Sequence, residues 1–301
     1  MKTTMDRRSF SKTIAAAAAG APTLWAAQPR KLQIGYTALT WNAVPRQSEN
    51  LEPALKDFAN LGFYKFETFC EILEDLDNKG TLRALIDKYN VPLCSGYCSL
   101  NLLDQSLRKV NLERVTRYGR IIKKYGGTYI VLASGGVQRN GYDFQAHKAD
   151  LVSGLNDYSM ALADIGIRSG LHQHTGTAIE SRDETYAVME AANTKVMTFA
   201  PDIGQLQKGG SDAAKVVKDF VSILTHMHLK DYVGGQYFLG YCPLGQGKVD
   251  IPTILDTIEA AGKNPDVMVE LDRPADTPMS ATETANISKA YLVKLGYKFR
   301  T

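Results

Sequence analysis

Short apolar runs rich in β-forming residues alternate with longer amphipathic segments from residue 32 onward, and this alternation restricts the fold more than any other feature. Alternation of this kind predicts βαβ units and a parallel sheet. Several of the amphipathic segments end in glycine, at Gly62, Gly126, Gly166 and Gly262, as helix C-termini commonly do. The predicted strands are LQIGY (32–36), FYKFE (63–67), VPLCSGY (91–97), TYIVLA (128–133), IRSGLHQH (167–174), VMTFA (196–200), ILTHMHL (223–229) and DVMVEL (266–271).

Eight such units favour one closed (β/α)8 barrel, the TIM barrel, over an open doubly wound sheet. The chain has 301 residues, a length that a barrel of this kind occupies as a single domain. No GxGxxG sequence follows the first predicted strand, which argues against a dinucleotide-binding fold. We therefore expect one barrel domain over residues 28–301.

Residues 1–27 are expected to stand apart from the barrel. The sequence DRRSFSK, from Asp6 to Lys12, precedes an alanine-rich apolar stretch and resembles a bacterial twin-arginine export signal. A short apolar helix of the mature protein is the alternative. Export by this route predicts a periplasmic location and folding before transport, often with a metal or cofactor bound. It also favours an unphosphorylated substrate, since phosphorylated sugars are scarce outside the cytoplasm.

The composition is that of an ordinary globular protein. The net charge of +3 gives no reason to expect a nucleic-acid partner or an anionic membrane surface. No segment approaches the ~20 uninterrupted apolar residues of a membrane-spanning helix. The four cysteines lack CxxC spacing, so we expect buried free thiols, with a disulfide as the alternative in an oxidising compartment.

Carboxylates and imidazoles gather at the predicted strand ends, where barrels of this class carry their chemistry. Convergence of nitrogen and oxygen ligands is what a metal site requires. A lone histidine there can equally be a hydrogen-bonded residue, and Asp202 a turn or N-cap residue. In a His-x-His pair on one strand face, one ring can bind the ion while the other supports it. The residues concerned are Glu67, His172, His174, Asp202, His226, His228 and Glu270, which include four of the five histidines.

Four local sequences carry a resemblance to a known family. PDIGQL, THMHLKDY, LGQGKVDI and VMVELD resemble blocks of the xylose-isomerase-like TIM-barrel superfamily. That superfamily includes sugar isomerases and epimerases, hydroxypyruvate isomerase, inosose dehydratase and relatives of endonuclease IV. The resemblance extends over essentially the whole mature chain, and it implies the same barrel fold.

The resemblance implies one divalent ion, Mn²⁺, Co²⁺, Mg²⁺ or Zn²⁺, as cofactor. Asp202, His228 and Glu270 match three of the family's ligands, and His172 stands where many members have a glutamate. The segment HQHTGT instead looks like the HHHMGT block of inosose dehydratases. Gln205 is a second departure, since many members have a substrate-contacting histidine at its position.

These assignments predict an enzyme that forms an enolate or enediolate from an unphosphorylated sugar, keto-sugar or cyclitol. The ion would act as Lewis acid, Glu270 as base, and His174 as proton donor or orienting group, while Lys230 would add positive charge near the developing oxyanion. Because His172 replaces one of the two carboxylates of two-base epimerases, dehydration or β-elimination is favoured over 3-epimerisation. A 1,2-proton shift remains open.

Substrate contacts are predicted for Glu67, His174, Gln205 and Trp41, the last with Tyr36 as a stacking surface for a sugar face. Each has a simpler alternative: Glu67 as a salt-bridged rim carboxylate, and the two aromatic rings as plain packing. Lys230 can likewise form an ion pair with Asp231. The expected partner is a small carbohydrate, and self-association stays open.

Two other functions remain as alternatives. A non-catalytic periplasmic carbohydrate-binding or accessory protein could retain the same barrel. A nuclease related to endonuclease IV is less favoured, because such enzymes usually need three metal ions, more histidines than this chain has and a basic DNA-facing surface.

Overall fold

The structure is a computed structural model that describes residues 30–273 and 277–301. The export signal predicted for residues 1–27 lies outside these ranges.

Eight parallel strands form a barrel in the described part of the chain. The barrel strands are β1 (Ile34–Thr37), β2 (Phe66–Phe69), β3 (Leu93–Leu100), β4 (Tyr129–Ser134), β5 (Arg168–His172), β6 (Met197–Phe199), β7 (His226–Leu229) and β10 (Asp266–Val269). Neighbouring strands follow the order β6, β5, β4, β3, β2, β1, β10, β7. Isolated parallel bridges, Phe199 with Leu224 and Asp202 with His228, join β6 to β7 and close the ring. The predicted single (β/α)8 TIM barrel is thereby confirmed.

Helices surround the barrel, and short 3-10 turns and a two-stranded antiparallel ribbon decorate its loops. The helices are α1 (Leu51–Leu61), α2 (Cys70–Asn78), α3 (Leu82–Tyr89), α4 (Arg108–Lys124), α5 (Phe144–Asp164), α6 (Arg182–Ala191), α7 (Ile203–Lys208), α8 (Ala213–Phe220), α9 (Ile251–Ala260) and α10 (Ala281–Lys294). The 3-10 turns are Ala38–Trp41, Ser48–Asn50, Gln105–Leu107, Val221–Ile223 and Tyr237–Gly240. The ribbon pairs β8 (Asp231–Tyr232) with β9 (Tyr241–Cys242).

The core lies between the outer face of the sheet and the helices. Leu55 and Phe58 of α1, Ile122 of α4 and Leu155 of α5 are fully buried there. Each such side chain contributes about 1.5–3 kcal/mol by leaving water. Because both faces of the barrel sheet are covered, its strands are buried almost throughout, which explains their continuous apolar runs.

Helix ends follow the glycine positions read from the sequence. Gly62 and Gly166 both adopt a φ of 77°, in the left-handed region. At Gly62 a side chain would also collide with the chain, since a Cβ there would lie 2.2 Å from the Arg300 carbonyl oxygen. These glycines let each helix turn sharply into the next strand.

The fifth strand is shorter than predicted. It ends at His172, so His174 lies in the loop that follows. The backbone N–H of His174 donates to the Ile179 carbonyl instead of to a neighbouring strand, and the chain turns there.

All four cysteines are buried and unpaired, as the sequence predicted. None of the helices within residues 30–273 and 277–301 is long and apolar enough to cross a membrane.

Candidate active site

Most of the predicted site residues meet at the carboxyl ends of the barrel strands, around or beside a cavity of about 180 Å³. A small cavity at this end of a barrel suits a small-molecule ligand. Its lining joins acidic and imidazole groups with two aromatic rings, and consists of Thr37, Leu39, Glu67, Thr68, Phe69, Tyr97, His172, His174, Glu270 and Asp272.

Three of the four predicted metal ligands form a tight group. His172, Asp202 and His228 are buried, and one ligand atom from each lies within 4.8 Å of the others. The bridge between Asp202 and His228 brings those two together across the seam between β6 and β7. Glu270, the fourth, follows β10, and its Oε2 lies 3.2 Å from Nδ1 of His228. The fold therefore gathers all four residues at one place.

His172 is held in the form that binds metals. Its Nδ1 lies 2.9 Å from the Ala200 carbonyl oxygen, and because a carbonyl only accepts, Nδ1 carries the proton and Nε2 keeps its lone pair. Burial lowers the pKa of His172 well below its ordinary value, and the nearby His228 and His174 lower it further. A neutral imidazole with a free lone pair is the metal-binding species.

The two oxygens of Asp202 have different neighbours. Oδ1 accepts the backbone N–H of Gln205 at 2.9 Å, so Asp202 is the N-cap of α7 that the sequence allowed. Oδ2 lies 2.9 Å from Nζ of Lys230 and accepts no further hydrogen bond within the described part of the chain. A buried carboxylate oxygen with one ammonium beside it keeps a lone pair for an ion, so Oδ2 is a suitable metal ligand.

His228 lies between two carboxylates. Its Nε2 is 2.6 Å from Oε1 of Glu67, and its Nδ1 faces Glu270. Burial lowers the pKa of His228, but the charges of Glu270 and Glu67 outweigh burial and raise it well above its ordinary value. Burial raises the pKa of Glu67, while His228 and His226 outweigh burial and lower it. In the absence of an ion, His228 therefore carries a proton that balances these carboxylates.

Lys230 is a buried ammonium among three carboxylates. Nζ lies 2.9 Å from Asp202, 2.6 Å from Glu270 and 2.8 Å from Asp272. Burial lowers the pKa of Lys230, but these carboxylates raise it well above its ordinary value. Its stem packs on Gly204, where a Cβ would lie 2.6 Å from Cγ of the lysine. These contacts replace the ion pair with Asp231 that the sequence also allowed.

His174 and Gln205 contact one another. Oε1 of Gln205 accepts the backbone N–H of Thr175 at 3.2 Å, so the amide nitrogen faces His174 and donates to its Nε2 at 2.6 Å. Nδ1 of His174 then donates to the Thr175 carbonyl at 2.9 Å. Gln205 thus fixes the orientation and tautomer of His174, a ring that lines the cavity.

Two predicted aromatic residues lie away from the cavity. Trp41 packs edge-on against Tyr36 and Phe58, with ring centroids 5.2 and 4.9 Å apart, and its indole N–H donates to Asp57. Tyr36 is fully buried. Neither is among the described residues that line the cavity, and both occupy the packing role given as their alternative.

Other cavity residues were not singled out from the sequence. Tyr97 packs edge-on against His172 at 5.5 Å and against Phe69 at 5.2 Å. Because Tyr97 is the last residue of the predicted third strand, the rule that points to strand ends would have found it. Asp272 lies two residues beyond Glu270, in a loop whose course the sequence does not reveal.

The donor set fits a divalent cation. Asp202 Oδ2 and His228 Nδ1 are buried, and each has one charged neighbour, Nζ of Lys230 at 2.9 Å and Oε2 of Glu270 at 3.2 Å, that a divalent ion could join or replace. Lys230 is the one ammonium among the described residues that contacts Asp202, Glu270 and Asp272, while Glu67 contacts His228. Four carboxylates and one ammonium leave three negative charges unmatched among these groups when the imidazoles are neutral. Mixed imidazole and carboxylate donors suit zinc, manganese or cobalt.

Solved structures share this fold across nearly the whole chain. The IolI protein with a bound zinc atom superposes with a TM-score of 0.72 at 16% identity, covering 90% of this chain and 100% of that one. The probable 3-DHS dehydratase AsbF of Bacillus anthracis superposes with a TM-score of 0.71 at 12% identity, covering 87% and 99%. At these identities the likeness establishes the fold alone.

Sequence relatives point to the same group of proteins. An inosose dehydratase from Clostridium botulinum (strain Alaska E43 / Type E3) is 23% identical over 216 residues, covering 67% of this chain and 71% of the relative. The model of the xylose isomerase-like TIM barrel family matches residues 55–291, which is most of the chain. The chain therefore belongs to the xylose isomerase-like TIM barrel family.

Proposed function

We propose that this protein is a divalent-metal-dependent enzyme that forms an enolate or enediolate from an unphosphorylated sugar, keto-sugar or cyclitol. The observation that carries the proposal is the buried group of His172, Asp202 and His228, with Glu270 beside it at the edge of a small cavity. Inosose dehydratase relatives and a zinc-containing structural neighbour support it.

His172, Asp202, His228 and Glu270 would hold one divalent ion. When bound, such an ion polarises a carbonyl and stabilises negative charge that develops on its oxygen. The remaining chemistry falls to side chains of this chain.

Glu270 is the proposed base. It lines the cavity, and although burial raises its pKa, His228 and Lys230 outweigh burial and lower it well below its ordinary value. The group is therefore a carboxylate that can accept a proton from the carbon beside a carbonyl. Lys230 contacts Oε1 of Glu270 at 2.6 Å and supplies positive charge behind the reacting centre.

His174 is proposed to bind and orient the substrate. Its Nε2 accepts from Gln205 and its Nδ1 donates to a backbone carbonyl, so both ring nitrogens are engaged. Proton donation by His174 to a departing hydroxyl would require that the substrate replace one of these partners. Glu67 and Gln205 are proposed to act on the substrate through the histidines that they contact, Glu67 through His228 and Gln205 through His174.

Dehydration is the reaction that this arrangement favours. Glu270 removes the proton beside the carbonyl, and a carbon–carbon double bond forms as the carbon–oxygen bond of the neighbouring hydroxyl breaks. The departing hydroxide takes a proton from the protonated Glu270 or from solvent and leaves as water. His172 stands where a two-base epimerase has its second carboxylate, which leaves Glu270 as the proposed base. The inosose dehydratase relative is consistent with a cyclitol ketone as substrate.

Proton exchange with solvent tests this function. The chain, loaded with Mn²⁺ or Co²⁺, would be incubated in deuterated water with keto-sugars and inososes, and deuterium beside the carbonyl followed by NMR. We expect metal-dependent exchange or water loss, slowed by about 10²–10⁴-fold in Glu270→Gln. Glu184→Gln, a buried carboxylate that pairs with Arg139 away from the site, serves as the control. Absence of exchange and of water loss with every substrate would contradict the proposal.

We also propose that residues 1–27 direct export by the twin-arginine route. The proposal is supported by the Arg7-Arg8 pair before the alanine-rich stretch. Replacing both arginines by lysine should leave the full chain in the cytoplasm of a host with this pathway, as measured by cell fractionation. Undiminished export of the double variant, with the unaltered chain as the reference, would contradict it.

A further inference from the structure

We infer that Glu67 is a positioning residue that sets which nitrogen of His228 faces the ion. This role differs from the contact with sugar hydroxyls that the sequence suggested. It rests on the proposed metal centre, since it describes how one ligand of that centre is held.

The Glu67 carboxylate is a fully engaged acceptor. Oε1 lies 2.6 Å from Nε2 of His228, and Oε2 lies 2.9 Å from Nε2 of His226. Ser95 adds a third contact by donating its hydroxyl to Oε2. All four residues are at most 1% exposed. Because an ionised carboxylate only accepts hydrogen bonds, both imidazoles carry a proton on Nε2.

The position of that proton decides what His228 offers at its other nitrogen. With Nε2 engaged by Glu67, Nδ1 is the atom that faces Glu270, 3.2 Å from its Oε2. Nδ1 is therefore the nitrogen available to an ion shared with His172, Asp202 and Glu270. Such a carboxylate–histidine pair orients the ring and makes its free nitrogen a stronger ligand.

A second group of potential ligands gives a competing explanation. Glu67, His226 and His228 also place one ligand atom each within 4.8 Å of the others. In that group, however, both carboxylate oxygens already accept N–H groups, and the nitrogens that face them are protonated. His226 is further fixed by stacking on Tyr129, with ring centroids 5.0 Å apart. Glu67, His226 and His228 therefore form a hydrogen-bonded clamp that holds His228 in place.

Mn²⁺ affinity of the full-length chain, measured by calorimetry and by EPR of free Mn²⁺, tests the inference. Glu67→Gln keeps the size of the side chain but can accept only one of the two imidazole N–H groups, so we expect binding about 10–100-fold weaker. The matched control Glu184→Gln should bind as the unaltered chain does. Unchanged affinity in Glu67→Gln would overturn the inference.

A pair of histidine variants separates the clamp from a second metal site. His172→Gln should lose most of its Mn²⁺ affinity, because it removes a proposed ligand. His226→Gln should keep a Mn²⁺ affinity closer to that of the unaltered chain. The reverse order would show that the ion sits in the Glu67 group and would overturn the inference. Thermal unfolding of each metal-free variant identifies any that fail to fold.

A measurement on the unaltered chain needs neither a variant nor a metal. With ¹⁵N-labelled histidine, long-range proton–nitrogen NMR of the metal-free protein should show protonated Nε2 in both His226 and His228. An unprotonated Nε2 in either ring would overturn the inference. If the unaltered chain bound no Mn²⁺, the proposed function would fail, while this spectrum would still decide the role of Glu67.

Discussion

At the scale of single residues, the site is governed by buried charge. Lys230 is fully buried, and its ammonium is close to Asp202, Glu270 and Asp272, two of which are proposed metal ligands. Desolvated charges of this kind persist only because they are paired. Lys230 therefore neutralises part of the acidic cluster and leaves the rest for the divalent ion.

Lys230→Met should destabilise the metal-free protein by about 3–5 kcal/mol, because it leaves buried carboxylates without their ammonium. Added Mn²⁺ should then raise the melting temperature more in Lys230→Met than in the unaltered chain. Lys215→Met, which removes an exposed lysine paired with Asp219, should change stability by less than about 1 kcal/mol. Thermal unfolding with and without Mn²⁺ measures both effects, and a metal-free Lys230→Met of normal stability would refute the account of this lysine.

Most of the site residues could be predicted from the sequence, but the groups that each side chain contacts could not. His172, Asp202, His228 and Glu270 lie at or near strand ends, and parallel strands of a barrel bring their carboxyl ends together. Glu67 ends the predicted second strand, but the observed β2 continues to Phe69. The distances between their side chains depend on ladder register and on rotamers. For the same reason Trp41, close to a strand end in sequence, could not be distinguished from a cavity residue until its packing in the core was visible.

At the scale of elements, Asp231 explains why HLKD and GQGKVD occur together. Its carboxylate accepts backbone N–H groups from Tyr232, Gly245, Gly247 and Val249. At Gly247 a Cβ would lie 2.1 Å from Oδ1 of Asp231, so a side chain there would displace the carboxylate. The aspartate after the seventh barrel strand thus folds the loop that leads into α9. The resemblance indicated this pair of motifs, whereas their physical connection required the structure.

Asp231→Asn should destabilise the protein by about 2–3 kcal/mol, because the amide group turns a donor toward buried N–H groups and leaves some of them without an acceptor. Asp250→Asn is the matched control at the end of the same loop: it caps α9 through one N–H, and an asparagine caps nearly as well. Chemical denaturation compares the two variants. Equal stability of Asp231→Asn and Asp250→Asn would show that the loop does not depend on this carboxylate.

At the scale of the whole molecule, the seam between β6 and β7 is where the barrel closes with the fewest backbone contacts. The described strands are joined there by two isolated bridges, Phe199 with Leu224 and Asp202 with His228. The second bridge joins two proposed metal ligands, so an ion bound by both would link β6 to β7 through their side chains. Eight repeats in the sequence predicted a closed barrel. Which residues bridge β6 and β7 depends on the exact strand lengths, and these could not be predicted from the sequence.

Metal should therefore stabilise the barrel as a whole. At a Mn²⁺ concentration about 100 times the Kd, the gain is about 2.7 kcal/mol, and chelation should remove it. Amide hydrogen exchange should slow most in β6 and β7. Asp202→Asn should show neither change, and stabilisation of that variant equal to the unaltered chain would contradict the proposed ligand set.

The central claim is that one divalent ion binds where β5, β6, β7 and β10 end. Anomalous diffraction from crystals grown with Mn²⁺ tests it most directly. We expect a single strong peak about 2.0–2.3 Å from one atom each of His172, Asp202, His228 and Glu270, with Nδ1 as the ligand atom of His228. A peak held by Glu67 and His226, or no peak at this end of the barrel, would contradict it.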